Sequence, residues 1–215
     1  MPGEFLILNG SGLGPDQEVA QQLTPEGKVA TMLAGTSVTF NGIPAPLISV
    51  QAERIVCVAP FGVYRSQVAL MRVERNGDQA NSIRVGVQWS AVGVSAVLNS
   101  DGSANSSGRP AVPGSLITLY AVGLGQTNPP GVDGEIAVHG TRKFDRGPFR
   151  ASIDGTDVDI TYIGGAPGQI SAVTQVDVRV PAGLAAGSHN LEVGFGESRF
   201  YDSAMLTIVV GSNNP

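Results

Sequence analysis

The sequence predicts an all-β chain built as two sandwich modules in tandem, and three observations carry that reading: a turn-rich composition, short alternating strands, and an internal repeat. Of 215 residues, 29 are glycine and 14 proline, spread along the whole chain. Their share, one residue in five, exceeds the roughly 12% of average usage. Both residues are costly inside helices, whereas short strands separated by tight turns absorb them. With 42% apolar and 14% charged residues, the chain has material for cores and lacks the signature of disorder.

The repeat is read element by element. Leu6-Ile7-Leu8-Asn9-Gly10-Ser11-Gly12-Leu13-Gly14 is echoed 111 residues later by Ile117-Thr118-Leu119-Tyr120-Ala121-Val122-Gly123-Leu124-Gly125, each an apolar run closed by Gly-Leu-Gly. Val38-Thr39-Phe40-Asn41-Gly42 is matched after 113 residues by Ala151-Ser152-Ile153-Asp154-Gly155. Asn-Gly and Asp-Gly are the strongest short hairpin signals. Ile55-Val56-Cys57-Val58-Ala59-Pro60-Phe61-Gly62 and Val176-Asp177-Val178-Arg179-Val180-Pro181-Ala182-Gly183 lie 121 residues apart, each a strand halted by Pro-x-Gly. The growing offset places about eight extra residues in the second copy, and Tyr162–Gly168 is expected to be the inserted loop.

Each copy continues with two more strands. These are Val68–Val73 and Ser82–Val87 in the first, and Leu191–Phe195 and Ala204–Val210 in the second. Glu18–Leu23 is the best helical candidate, yet Thr24-Pro25-Glu26-Gly27 would limit it to a turn or two. The expected organisation is therefore a first module over 1–88, a connecting strand and polar loop over 89–110, and a second module over 111–215. In the connection, Val92, Val94, Ala96 and Leu98 alternate, and Asn99–Pro110 is polar with nothing to bury. Strands at this spacing fit immunoglobulin-like sandwiches.

Gly-x-Gly-Leu-Gly-Pro, Val38–Leu47 and the strand ending Pro60-Phe61-Gly62 resemble the IPT/TIG immunoglobulin-like (E-set-like) fold. The whole chain, from about Phe5 to Gly211, is similar to an uncharacterised C-terminal domain family of long exported acidobacterial proteins. Leu98–Ser106 and Tyr120–Gly134 carry that likeness. It implies a fold and an extracellular or cell-surface location. It implies no reaction and no ligand residues.

Composition narrows the partners. A net charge of −5 with 13 basic residues offers no general attraction to phosphate backbones or anionic lipid. No run approaches the ~20 apolar residues of a membrane helix. Met1–Phe5 lacks signal-peptide features, so the signal of an exported protein would lie outside this sequence. Cys57 is the single cysteine, so no disulfide forms within the chain.

Chemistry-bearing motifs are sparse. His139 and His189 are the candidate bases, but no Gly-x-Ser-x-Gly elbow occurs, and both read as rim or loop positions. Cys57 reads as a core hydrophobe. Asn99, Asp101, Ser103 and Asn105 space oxygens as a calcium loop would, without its glycine or its closing acid, and an Asp-Gly turn accounts for them. Asp157 and Asp159 share a strand face, with Asp177 on a possible neighbour, and read as a solvated surface. Gly10, Gly12 and Gly14 lack the lysine of a phosphate loop. Arg142, Lys143, Arg146 and Arg150 cluster around Phe144 and Phe149, as a solvated loop or as a surface for an acidic partner or glycan.

The expectation is thus a non-catalytic structural or interaction module, a spacer, cap or adhesion-type domain without cofactor or metal, whose partner is a protein or glycan. A carbohydrate-binding accessory domain is the alternative. Its candidate platforms are Trp89, Tyr64, Tyr120, Tyr162 and Tyr201.

Overall fold

In the computed structural model, which describes residues 1–79 and 82–212, the chain is all-β and its sheets are antiparallel. No α-helix occurs among the described residues, and Phe61–Val63 forms a single 3-10 turn. The strands of the N-terminal half are β1 (Phe5–Asn9), β2 (Val19–Ala20), β3 (Met32–Leu33), β4 (Thr36–Phe40), β5 (Ile43–Pro44), β6 (Leu47–Gln51), β7 (Arg54–Val58), β8 (Val68–Arg75), β9 (Asp78–Gln79) and β10 (Ile83–Gly86). They form one sheet in the order β1-β7-β6-β2 and a second in the order β10-β8-β4-β3, with β5 on β4 and β9 on β8.

The C-terminal half contains β11 (Gly93–Asn99), β12 (Leu116–Val122), β13 (Thr127–Asn128), β14 (Lys143–Phe144), β15 (Phe149–Ile153), β16 (Thr156–Val158), β17 (Ile160–Gly165), β18 (Thr174–Arg179), β19 (Gly187–Gly196) and β20 (Phe200–Val210). Its sheets run β11-β12-β18-β17 and β16-β15-β19-β20, and β13 pairs with β14 alone. Among the described residues, no strand of one half pairs with a strand of the other.

The sequence repeat is a repeat of pairing. Leu6 faces Cys57 across β1 and β7, and their counterparts Ile117 and Val178 face each other across β12 and β18. Phe40 faces Met71 as Ile153 faces Leu191. The two hairpin turns match in conformation, with φ of 53° and 81° at Asn41-Gly42 and of 48° and 79° at Asp154-Gly155. Positive φ at both central residues gives the local twist that a two-residue hairpin needs. Each turn is braced alike: the Leu70 amide donates to Asn41 Oδ1 at 2.8 Å, and the Asn190 amide to Asp154 Oδ1 at 2.9 Å.

Inward positions of the strands fill a separate core in each half. One core gathers Phe40, Leu47, Ile55, Cys57 and Val38, and the other Ile117, Leu119, Val176, Leu191 and Ile208. Phe195, fully buried, takes Phe149 and Phe144 edge-on at centroid distances of 5.1 and 5.6 Å, an arrangement that favours aromatic pairs.

Three expectations change. Glu18–Leu23 forms no helix: Val19–Ala20 is β2 and Leu23 bridges Val29, because the Thr24–Gly27 turn folds the segment back on itself. Tyr162–Gly165 is strand, paired with Asp177–Thr174, so the inserted residues are Ala166–Val173. The polar stretch Asn99–Pro110 is tied in rather than free: the Asn105 amide returns to Val97 O, and Ala111 bridges Val210 in parallel. The connecting strand expected before it is β11 (Gly93–Asn99), at the edge of the sheet beside β12.

Substituting Phe195 by Ala should cost about 3–5 kcal/mol, the usual penalty for emptying a buried aromatic site. Met205→Ala on the 69% exposed face should stay within about 0.5 kcal/mol. Urea denaturation followed by circular dichroism reads both values.

Candidate functional site

The most heavily built region outside the two cores is where the halves meet. The insertion Ala166–Val173 supplies Ala166, Ile170, Ala172 and Val173 to a third apolar cluster, whose first-half members are Val29 and Val58, with Phe5, Ile48, Tyr120, Val122 and Ile136 against it. Polar bonds register the contact. Asp133 Oδ1 accepts the Phe61 amide at 2.6 Å, the Val29 amide donates to Gly134 O at 2.7 Å, and Gln126 Nε2 donates to Phe61 O at 3.4 Å. Burial pushes the Asp133 carboxyl above its ordinary value, partly offset by the Phe61 amide and by Lys28.

Two glycines make the approach possible. A Cβ on Gly131 would stand 2.7 Å from the Phe61 ring, and one on Gly134 would stand 2.8 Å from Val29 O. Within the C-terminal half, Ser171 Oγ donates to Val132 O at 2.8 Å and Arg142 Nη1 donates to Ser171 O at 2.5 Å. Those bonds tie the insertion to the long 127–142 loop. A groove of about 250 Å³ opens beside that loop, lined by Thr127–Gly131, Glu135–Val138 and Gly140–Arg142, and the one guanidinium in it is already engaged by Ser171.

Both histidines make local contacts. His189 Nδ1 lies 2.7 Å from Asp154 Oδ2, and Nε2 lies 2.8 Å from Ala185 O. A carboxylate and a carbonyl only accept, so both contacts are satisfied together when the ring carries both protons. The Asp154 hydrogen bond raises the His189 pKa above 6.5, and the same bond lowers Asp154 below 3.8. No nitrogen is left to take a proton from a nucleophile. His139 stacks on Tyr162 with centroids 4.6 Å apart, and Tyr162 Oη donates toward Gly165 O at 2.9 Å.

The acidic groups do not converge. Asp157, on β16, pairs with Arg150, whereas Asp177, on β18 of the opposite sheet, accepts from Thr118 Oγ1 at 2.8 Å and from Gln175 Nε2 at 3.0 Å. Asp159 falls between β16 and β17, its carbonyl bound by the Arg179 amide. In the loop after β11, Asp101 accepts from the Ser103 amide and hydroxyl. Asn105 donates to Asn99 Oδ1 and Val209 O, and accepts the Val209 amide. Those oxygens hold the loop to β20, and Asn99 is 8% exposed, contrary to a stretch with nothing to bury. Among the described residues, no three His, Cys, Asp or Glu side chains group as a metal site would.

The basic cluster is dispersed into separate contacts rather than solvated as one loop. Arg142 turns inward to Ser171. Arg146 Nε donates to Ser90 Oγ at 3.2 Å and its guanidinium lies over Tyr201, while Arg150 lies over Phe200. Gly12 carries no anion cradle: its carbonyl accepts Arg75 Nη1 at 2.9 Å, and Gly14 faces Val50 and Gln51 too closely for any Cβ. In the second copy, the same glycine pair receives the incoming backbone. A Cβ on Gly123 or Gly125 would meet Ala91 O or Trp89 O.

That incoming segment brings together residues the sequence did not connect. Buried Ser90 donates its hydroxyl to Asp202 Oδ2, and the Val92 amide donates to Oδ1 at 3.3 Å. Tyr201 Oη donates to Arg146 O. Trp89, 53% exposed, meets Tyr64 edge-on at 5.6 Å, and Arg65 covers the Tyr64 ring at 5.1 Å. Of the five aromatics nominated from sequence, Tyr120 packs into the third cluster and Tyr162 is tied down, while Trp89, Tyr64 and Tyr201 lie at the surface of this junction. Ser90 and Asp202 lie 112 residues apart, and no local motif announces such a pair.

No protein-family model matches the chain, and no curated protein sequence does either. No helix of the described residues is long and apolar enough to cross a membrane.

Two predictions follow from the titratable groups. Cys57 is fully buried and burial pushes its thiol up to about 12, so the folded chain should leave a disulfide reagent unreacted at pH 8 and release one thiol only when denatured. The His189–Asp154 pair adds stability above the ordinary carboxylate range and below pH 6.5. As pH rises through the elevated His189 pKa the contribution is lost. The melting temperature of the native chain should therefore fall between pH 6 and 9 more than that of His189→Gln.

Proposed function

We propose that the chain is a rigid, non-catalytic structural or interaction module: two immunoglobulin-like sandwiches of the IPT/TIG type, fused end to end, that space or cap a larger exported or cell-surface bacterial protein. The observation that carries this reading is the third apolar cluster with its Phe61–Asp133 and Val29–Gly134 bonds. Domain contacts within one chain are by default loose and polar. Here the inserted residues of the second copy build a small core against the first, which suits a part that must hold two bodies at a fixed angle. The polar side chains that could do chemistry support the same reading, because their donors and acceptors brace turns, loops and edges.

Rigid fusion is measurable. Residual dipolar couplings from both halves should fit a single alignment tensor, and calorimetry should show one unfolding transition. Gly131→Val, which drives a side chain into the Phe61 ring, should split the couplings into two tensors while each half keeps its own strand contacts. Independent tumbling of the native halves, or turnover of an ester, glycoside or peptide substrate, would overturn the reading.

A carbohydrate-binding accessory role is the second reading, and Trp89 beside Tyr64 and Arg65 is what favours it. An exposed indole with a cation-bearing neighbour is a platform on which a sugar ring can stack. Affinity electrophoresis in soluble polysaccharide gels should then show retardation that Trp89→Ala abolishes. Unretarded migration through xylan, glucan and chitosan gels would remove this reading.

A further inference from the structure

Arg142 carries a charge that is taken partly out of water without being matched. Its predecessor Thr141 bridges Gly164 and its own amide donates to Ile163 O at 3.0 Å, so the residue is seated on β17. The half-buried side chain turns toward the insertion, where Nη1 donates to Ser171 O at 2.5 Å. Gly165 leaves space for it, because a Cβ there would stand 3.4 Å from Nη2. Among the described residues, no carboxylate lies within ion-pair distance of this guanidinium. The Ser171 carbonyl satisfies one donor and leaves the positive charge uncompensated, and a desolvated cation without a counter-charge is costly. Burial accordingly pulls the Arg142 pKa below its ordinary value, which Tyr162 and Glu135 offset only in part.

The same guanidinium lines the groove of about 250 Å³ beside the 127–142 loop. Among the described residues, Nε and Nη2 have no hydrogen-bond partner, and neither is closed off from solvent. The rest of the lining is of two kinds. Pro129, Pro130, Ile136 and the 79% exposed Val138 are apolar, whereas Glu135 is acidic and exposed. Lys143, the neighbouring base, does not line the groove. One fixed cation with an acid nearby suits a single negative charge better than a dianion such as phosphate. The volume falls below the roughly 300–1,000 Å³ of pockets for drug-sized ligands, so the occupant is small.

We propose that this groove is a binding site for a carboxylate carried on a small aliphatic group, with the carboxylate paired to Arg142 and the aliphatic part laid on Pro129, Pro130, Ile136 and Val138. A free aliphatic acid and the C-terminal residue of a peptide present that same chemistry. A guanidinium held in one plane matches a carboxylate through two parallel N–H···O bonds, and capture of a C-terminal carboxylate is a recurring mode of peptide recognition. The site is separate from the Trp89, Tyr64 and Arg65 platform and depends on neither reading of function given above.

Titrations of the full chain, followed by NMR of backbone amides and of the Arg142 Nε–H, use 4-methylpentanoate and 4-methylpentanamide, and N-acetylated Ala-Ala-Leu with its C-terminus free or amidated. The acids should give saturable shifts at Ala137, Thr141 and the Arg142 Nε–H, and the amides should bind at least about tenfold more weakly, since the charge-assisted pair is lost. Tighter binding of the free peptide than of 4-methylpentanoate would support the proposal with a peptide C-terminus as the source; the reverse order would support it with a free acid. Arg142→Gln should abolish the preference for acid over amide. Because that change also removes the Ser171 bond, Glu135→Gln serves as a second variant: loss of a neighbouring like charge should tighten the acids about two- to fivefold and leave the amides unchanged. Equal binding of acids and amides, or no saturable shift with any probe, would overturn the proposal. So would faster exchange of the Arg142 Nε–H in ligand-free Glu135→Gln, which would show Glu135 to be the counter-charge already.

Discussion

Phe61 sits where the two halves meet, and the arrangement of the whole chain depends on how closely the 127–134 loop can approach it. Phe61 is 5% exposed, and its amide is held by the half-buried Asp133 carboxyl. Gly131 lies against the ring with no room for a Cβ. A carboxyl moved out of water is costly unless hydrogen-bonded, and the Phe61 amide meets that requirement only when the halves are docked. Apolar contact around Val29, Val58, Ile170 and Val173 then excludes water from the same plane. The contact thus combines directional bonds with apolar burial.

The polar groups elsewhere follow one pattern. Asp154 braces its own hairpin turn through the Asn190 amide and also holds His189, whose other nitrogen reaches Ala185. Asn105 pins the loop after β11 to β20, and Ser90 and Asp202 fasten the segment that joins the halves. Each ties a connection to a strand. Short strands expose many backbone and side-chain polar groups at their ends, and pairing them locally is what allows so turn-rich a chain to hold its loops in place.

The repeat that organises the fold was visible because tight turns and inward strand positions leave a local record. Asn41-Gly42 and Asp154-Gly155 needed positive φ at both residues, and few residue types supply it. The placement of the inserted residues was less legible. Tyr162–Gly165 looked like a loop because its glycines suit turns, yet Gly164 and Gly165 lie in β17, where backbone of Gly140 and Val138 passes too close for a side chain. A glycine marks a turn or a close approach equally well, and only the neighbour across space distinguishes the two. For the same reason, the four basic residues around Phe144 read as one cluster, while the partners of Arg142 and Arg146, namely Ser171, Ser90 and Tyr201, come from remote parts of the chain and only Arg150 finds a near one in Asp157.

By itself, then, the sequence determined the all-β class, the matched strands and the two hairpin turns, because these depend on alternation and on backbone preferences confined to a few residues. Tertiary structure alone decided that Ala166–Val173 would become the seam between the halves and that β11 would close the second sandwich. Those outcomes turn on which surfaces meet across more than a hundred residues of chain. Burial of an apolar strand edge is a property of its neighbour as much as of its own residues.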